Sequence, residues 1–336
     1  MSEPRVLLLG GNSGRWSAKD RLGDASTMNG VEAWVFAFGG DYAEGPAAKI
    51  SDLEGYDVII ANTNHPFDNL LHLADNRPSN TKWVTLIEGD AHDYLKPLPF
   101  IRDLMASSDL IGCINKYSES FFKKFTTTPA RYIGIPYPAE GIRALSTPIE
   151  KRRREIFLAP MMLSRWTEYF CAKDLGVPLY GYERRMTRHR RTIVKTLRKY
   201  KTIDPWYFHK KARGLYQEPE FTVYRDEALP DFFKRNGGAY IWLNLDERYT
   251  WGRYVLDAAA LQVPIIATRS TGHAETFFPA TLVENEFALD KTSELLTRLL
   301  NDQDFYREVA DVPLEKFDHL RPEVKKKELL DILFPS

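Results

Sequence analysis

The sequence predicts an α/β protein built from two Rossmann-like domains. Three observations carry that prediction. Short apolar runs alternate with helical periodicity along most of the chain, the pattern of parallel strands linked by crossover helices. A Pro- and Gly-rich stretch between Ile135 and Glu155 interrupts the alternation near the middle. The 336 residues are long for one domain and enough for two that each bury a core.

The chain divides into an N-terminal domain over 1–140, a linker over 141–154, a C-terminal domain over 155–318 and a last helix over 319–336. Arg5 to Leu9 reads as a strand running into Gly10-Gly11-Asn12-Ser13-Gly14, small residues suited to a tight turn close to a ligand. Trp34 to Phe38 and Val58 to Ala61 read as further strands. Trp83 to Ile87 is a strand ending in Glu88-Gly89-Asp90-Ala91-His92-Asp93. Acids and an imidazole just past a strand end are placed for proton transfer, so Asp90 and then His92 are the candidate catalytic groups; a solvated polar turn is the competing explanation. Leu110 to Ile114 and Arg131 to Ile135 follow as strands, with the helix-like SESFFKKF between them.

The second domain restarts with the strand Ile156 to Ala159, a helix reaching Leu175 and the strand Pro178 to Tyr182. A basic insert over 183–216 follows. From Glu183 to Arg213 it carries twelve Lys or Arg against two acids, although the whole chain balances 46 basic residues against 46 acidic ones. Met186, Ile193, Leu197 and Tyr200 recur at helical spacing, leaving Arg184, Arg188, Arg191, Lys195 and Arg198 on the other face. Trp206, Tyr207, Phe208 and Tyr216 lie beyond Pro205 among further cations. Cations interleaved with aromatics suit a phosphate backbone with stacked bases or an anionic membrane surface; a solvated helix face accounts for the charge equally well.

Phe221 to Tyr224 reads as a strand and DEALPDFFKR as a short helix. Ala239 to Leu245 and Val263 to Thr268 read as buried strands, joined by a helix that begins near Gly252 and turns Val255, Leu256, Ala259 and Ala260 inward. Ligands in such sheets sit beyond the carboxyl ends of the strands, which selects the loops Asp246 to Trp251 and Arg269 to Glu275. The free amides and dipole at the start of the helix favour an anion such as a diphosphate. Thr281 to Val283 is a last strand, Thr292 to Leu300 an amphipathic helix, and Asp302-Gln303-Asp304 a helix cap rather than a metal motif.

Between Tyr240 and Glu275 the sequence resembles the donor-binding core of glycogen-synthase-like glycosyltransferases of the two-Rossmann GT-B architecture. Gly252, Asp257-Ala258-Ala259, Val263-Pro264-Ile265-Ile266-Ala267-Thr268 and Gly272-His273-Ala274-Glu275 follow the family order. Aligned on Gly252, the two motif glutamates fall at Tyr249 and Asp257, so the acid that normally faces the donor sugar is missing. The resemblance implies that Asp257 binds ribose and that amides near Gly252 and Gly272, with Arg165, neutralise the diphosphate. It also implies that Glu275 and His273 meet the sugar or phosphates. In the family the first loop, here Gly11 and Asn12, lies in the cleft near acceptor or phosphates, and an N-terminal acid such as Asp90 acts as base in inverting members. A retaining reaction would need Glu247 at the sugar face, and the missing first Glu tilts the expectation to inversion.

The resemblance therefore implies a metal-independent glycosyltransferase that moves a sugar from a nucleotide-sugar, with UDP the suggested carrier, and needs no cofactor. The acceptor is expected to be polyanionic or at a polyanionic surface: nucleic acid, as in phage DNA glucosyltransferases of this architecture, or a lipid-linked saccharide on an anionic membrane. A nucleotide-sugar epimerase of the same fold, or a binding protein without chemistry, are the alternatives. Cys113 and Cys171 form no disulfide framework, no His spacing suggests a metal site, and no apolar run is long enough to span a membrane. A cytoplasmic protein, free or at a membrane periphery, is expected; the oligomeric state is left open.

Overall fold

The computed structural model describes residues 3–11, 14–63, 67–90, 94–95, 98–159, 166–183, 222–225, 227–246 and 248–335. In chain order the strands are β1 Val6–Gly10, β2 Trp16–Ser17, β3 Asp41–Glu44, β4 Val58–Asn62, β5 Lys82–Ile87, β6 Leu110–Cys113 and β7 Ala130–Tyr132 in the first half. The second half contributes β8 Arg153–Leu158, β9 Leu179–Glu183, β10 Thr222–Arg225, β11 Ala239–Asn244, β12 Ile265–Thr268 and β13 Leu282–Val283. The first seven form a sheet of order β2-β3-β1-β4-β5-β6-β7, and the other six a sheet of order β10-β9-β8-β11-β12-β13. Their pairings are parallel apart from that of β2 with β3.

Numbered from its own start, the second sheet runs 3-2-1-4-5-6, the Rossmann order, and reverses direction between β8 and β11. The first reverses between β1 and β4. These are the points where crevices open at the carboxyl ends of strands. β1, β4, β11 and β12 are buried along their whole length, which is why they stand out in the sequence as unbroken apolar runs.

One expected strand is a helix. Trp34 to Phe38 lies in the helix Ala33–Phe38, which stops at Gly39 in the left-handed conformation (φ 60°). The strand in that place is β3, whose ends Asp41 and Glu44 are half-exposed. The stretch between Ile135 and Glu155 is anchored rather than loose. It contains the helix Ala139–Arg143, and the Arg143 guanidinium donates to the carbonyls of Ala259, Ala260 and Val312. Arg152 likewise donates to the carbonyls of Leu261 and Gln262 and to the Tyr306 hydroxyl.

The last helix, Pro322–Leu333, lies against the first sheet's layer: Leu329 and Leu333 share a core with Val6, Leu8, Trp34 and Phe38. Lys326 pairs with Glu3 and sits over the Phe38 ring. The chain thus passes between the sheets once near Tyr137 and again near Leu320. The two passages are hydrogen-bonded to each other, Tyr137 N–H to Leu320 carbonyl at 2.8 Å. Both cysteines are free and buried. The cap expected at Asp302 is present, its side chain accepting from Phe305 N–H.

Candidate active site

The loops after β11 and β12 are knitted together through two glycines. Gly252 caps the helix Arg253–Ala260 at φ 85°, and a Cβ there would lie 1.7 Å from the Gly272 carbonyl oxygen. A Cβ on Gly272 would lie 2.6 Å from the Thr250 carbonyl oxygen, to which its own N–H donates at 2.9 Å. At Gly252 only glycine meets both demands, an approach of two backbones and a positive φ. The Gly272 amide, expected to face a diphosphate, is therefore committed inside the protein. Arg253, in the first turn of the helix, keeps its side chain 36% exposed.

Asp257 departs furthest from the sequence expectation. Its side chain is fully buried, and Oδ1 accepts from Asn29 Nδ2 at 2.5 Å and from the Tyr137 hydroxyl at 2.7 Å. Arg253 Nε stands 3.7 Å from Oδ2, and among the described residues that oxygen and Asn29 Oδ1 have no hydrogen-bond partner. In this arrangement the carboxylate ties the first half of the chain to the second and offers no surface to a ribose. Burial pushes its pKa up, against Arg253, Tyr137 and Asn29, which pull it down.

Across the crevice, Asp90 is nearly buried past the end of β5, and its Oδ2 accepts from Tyr249 N–H at 2.9 Å. Asn115, just beyond β6, caps the helix Lys116–Phe122 by accepting from Tyr117 N–H at 2.9 Å and donates its amide to the Tyr249 carbonyl. Tyr249 is thus held on both sides of its backbone by the opposite half of the chain. Its ring meets that of Tyr117 with centroids 4.7 Å apart. Asn62, ending β4, donates to Glu88 Oε2 at 2.9 Å, and Tyr42 donates to the Gly11 carbonyl at 3.0 Å.

His273 caps the short helix Ala274–Phe277 with φ 67°. Its ring lies 6.1 Å from that of His319, and burial together with His319, Lys116 and Lys325 drives its pKa down to about 3, so the imidazole is neutral. Glu275 is paired with Arg269 at 2.5 Å, and Arg269 also reaches Glu284. Asp246 chelates the Arg248 guanidinium, while its carbonyl accepts from Thr268 and Ser270.

Asp90, Tyr249, Gly252, Gly272, His273 and Asp257 are therefore brought to one seam between the sheets, with Gly11 beyond the end of β1. Asn12, His92, Arg165, Glu247, Arg184, Arg188, Arg191, Lys195 and Arg198 lie outside the described residues. Among the described residues no group of three or more His, Cys, Asp or Glu could hold a metal ion. Sequence reasoning missed Asn115, Tyr117, Asn29 and Tyr137. Asn115 carried a signal, a helix-capping residue placed directly after a strand; Asn29 carried none.

No protein-family model matches the chain. No curated protein matches it in sequence. Solved structures do match. The α,α-trehalose 6-phosphate synthase of Burkholderia multivorans superposes with a TM-score of 0.67 at 12% identity, covering 98% of this chain and 96% of its own. An α-glucosyltransferase in complex with UDP and DNA containing an HMU base gives 0.63 at 11% identity, over 99% and 100% of the two chains. A trehalose-6-phosphate synthase studied for glycosyl transfer with retention gives 0.58 at 14% identity, over 82% and 73%. The fold is therefore the two-Rossmann GT-B architecture that these glycosyltransferases use.

Proposed function

We propose that the chain is a glycosyltransferase that moves a sugar from a nucleotide-sugar to a nucleic-acid acceptor. The observation that carries this reading is the Gly252–Gly272 loop pair at the carboxyl ends of β11 and β12, set against Asp90 and Asn115 of the other sheet. In this reading the diphosphate lies at the start of the helix Arg253–Ala260, where backbone N–H groups and the Arg253 guanidinium stabilise the charge that develops on the leaving group. Arg165 is proposed as a second cation at the same place. The neutral His273 imidazole can hydrogen-bond sugar hydroxyls without bringing a charge.

No metal or cofactor is assigned a role, and the nucleotide-sugar is a substrate. Retention of configuration is favoured over the inversion suggested by the missing first Glu, because the similar enzymes are described by α linkages and by retention. Asp90 then holds Tyr249 in place rather than acting as the base. UDP and DNA are favoured as carrier and acceptor because the similar α-glucosyltransferase is described with both. The basic run from Glu183 to Arg213 supports a polyanionic acceptor over a small neutral one. A lipid-linked saccharide on an anionic membrane is the second choice.

The test is transfer of labelled glucose from UDP-glucose to DNA carrying hydroxymethylated pyrimidines, with UDP release followed in the same tube. Label in the DNA with matching UDP release is the expected result. An isomerised sugar nucleotide with no label in any acceptor would identify an epimerase instead.

A further inference from the structure

Tyr249 stands where the resembled motif carries an acid, and its surroundings are those of an aromatic surface. Its N–H is held by Asp90 Oδ2 at 2.9 Å and its carbonyl by the Asn115 amide, so the main chain beneath the ring is fixed. The side chain is nevertheless 46% exposed. Its partner ring, Tyr117, comes from the helix Lys116–Phe122 of the opposite half of the chain, with centroids 4.7 Å apart and planes at 59°. The ammonium of Lys116, itself exposed, lies 5.0 Å from the Tyr117 centroid. The pair therefore straddles the seam beside Asp90.

A fixed, exposed ring paired with a second ring that has a cation over it fits a flat π-faced group that carries an anion one sugar away, which describes a nucleotide within a strand. A neutral sugar ring can also lie on tyrosine, but it brings no charge for Lys116. Nor does it account for the twelve Lys or Arg between Glu183 and Arg213. We infer that Tyr249 and Tyr117 form the stacking platform for an unpaired nucleobase of the acceptor nucleic acid, with Lys116 on the adjoining phosphate. This rests on the transfer reading above and names the acceptor side of the same site. The base must be unstacked to reach the platform, so single-stranded or locally opened nucleic acid is the form recognised.

The experiment is fluorescence anisotropy of a short fluorescein-labelled single-stranded deoxyoligonucleotide with the full chain, as wild type and as Tyr249→Ala, Tyr117→Ala and Tyr249→Phe. Loss of one stacking ring should weaken binding about 5- to 100-fold, and Tyr249→Phe should retain it. A fully abasic oligonucleotide of the same length should bind wild type as weakly as the intact one binds Tyr249→Ala. Should an alanine variant fail to fold, Lys116→Gln replaces it, and the salt slope of binding should fall by about one. UDP affinity is measured on the same samples. Its absence would count against the donor reading, while the oligonucleotide series would still decide the platform. Equal oligonucleotide affinity across the variants overturns the inference. So does Tyr249-dependent binding of a neutral oligosaccharide without Tyr249-dependent binding of DNA.

Discussion

Asp257 shows how one side chain can hold two sheets in register. Its Oδ1 accepts from both Asn29 and the Tyr137 hydroxyl, with no exposure to solvent. Replacing it by Ala strands two buried donors, each worth about 1–3 kcal/mol, so Asp257→Ala should lower stability by about 2–6 kcal/mol in urea unfolding. Asp257→Asn keeps an acceptor oxygen and should lose less than half of that; equal losses would mean that these hydrogen bonds do not hold the seam. His273 gives a pH dependence of definite sign. Its folded pKa is pushed down to about 3 by burial and by His319, Lys116 and Lys325. In the unfolded chain an imidazole titrates near 6.5, so between about 6.5 and 3 the unfolded state binds the extra proton and stability falls as pH falls. Asp257, with a raised pKa, contributes the opposite slope as its carboxyl protonates in the folded state. Wild type should therefore lose more stability than His273→Gln between about pH 7 and pH 5, and identical losses would contradict the assignment. The residue types at these positions were legible in the sequence, because a strand followed by a glycine-led helix selects them. Their partners were not: Asn29 lies 228 positions from Asp257 and no local pattern links them.

At the scale of elements, the two loops beyond β11 and β12 act as one unit because Gly252 and Gly272 let their backbones touch. Gly252→Ala combines a positive φ with a Cβ placed 1.7 Å from the Gly272 carbonyl oxygen, so the loops must separate. We expect it to cost about 1–3 kcal/mol or more in stability and to abolish nucleotide binding by calorimetry, while Gly176→Ala, at a positive φ with open space around it, affects stability alone. Unaltered nucleotide binding in Gly252→Ala would detach this loop pair from the donor site. The buried strands were legible for a simple reason: a parallel strand covered on both faces has to be apolar throughout. Trp34 to Phe38 looks the same over its short length, because a five-residue apolar run has no room to show a period. β3 was hidden for the converse reason, since Asp41 and Glu44 at its ends break the run.

Across the whole molecule, the two sheets place the carboxyl ends of their strands against each other, and the chain makes its two passages side by side. The helix Pro322–Leu333 then carries the end of the chain back onto the first sheet, so that its packing involves both halves. Alternation of strand and helix, with one break, made the two-domain plan legible. The seam itself was not, because it is made of single contacts between loops, such as Asp90 with Tyr249, rather than of a periodic face. The central claim is that a nucleoside diphosphate and its sugar conjugate bind at that seam. The direct measurement is the thermal midpoint of the full chain against nucleoside diphosphates and nucleotide-sugars, because a ligand that binds only the folded state raises it, by about 2.7 kcal/mol of stability at a hundredfold excess over Kd. The expected result is a base-selective rise, largest with a uridine nucleotide and lost in Gly252→Ala. An unchanged midpoint with every member of the panel would contradict it.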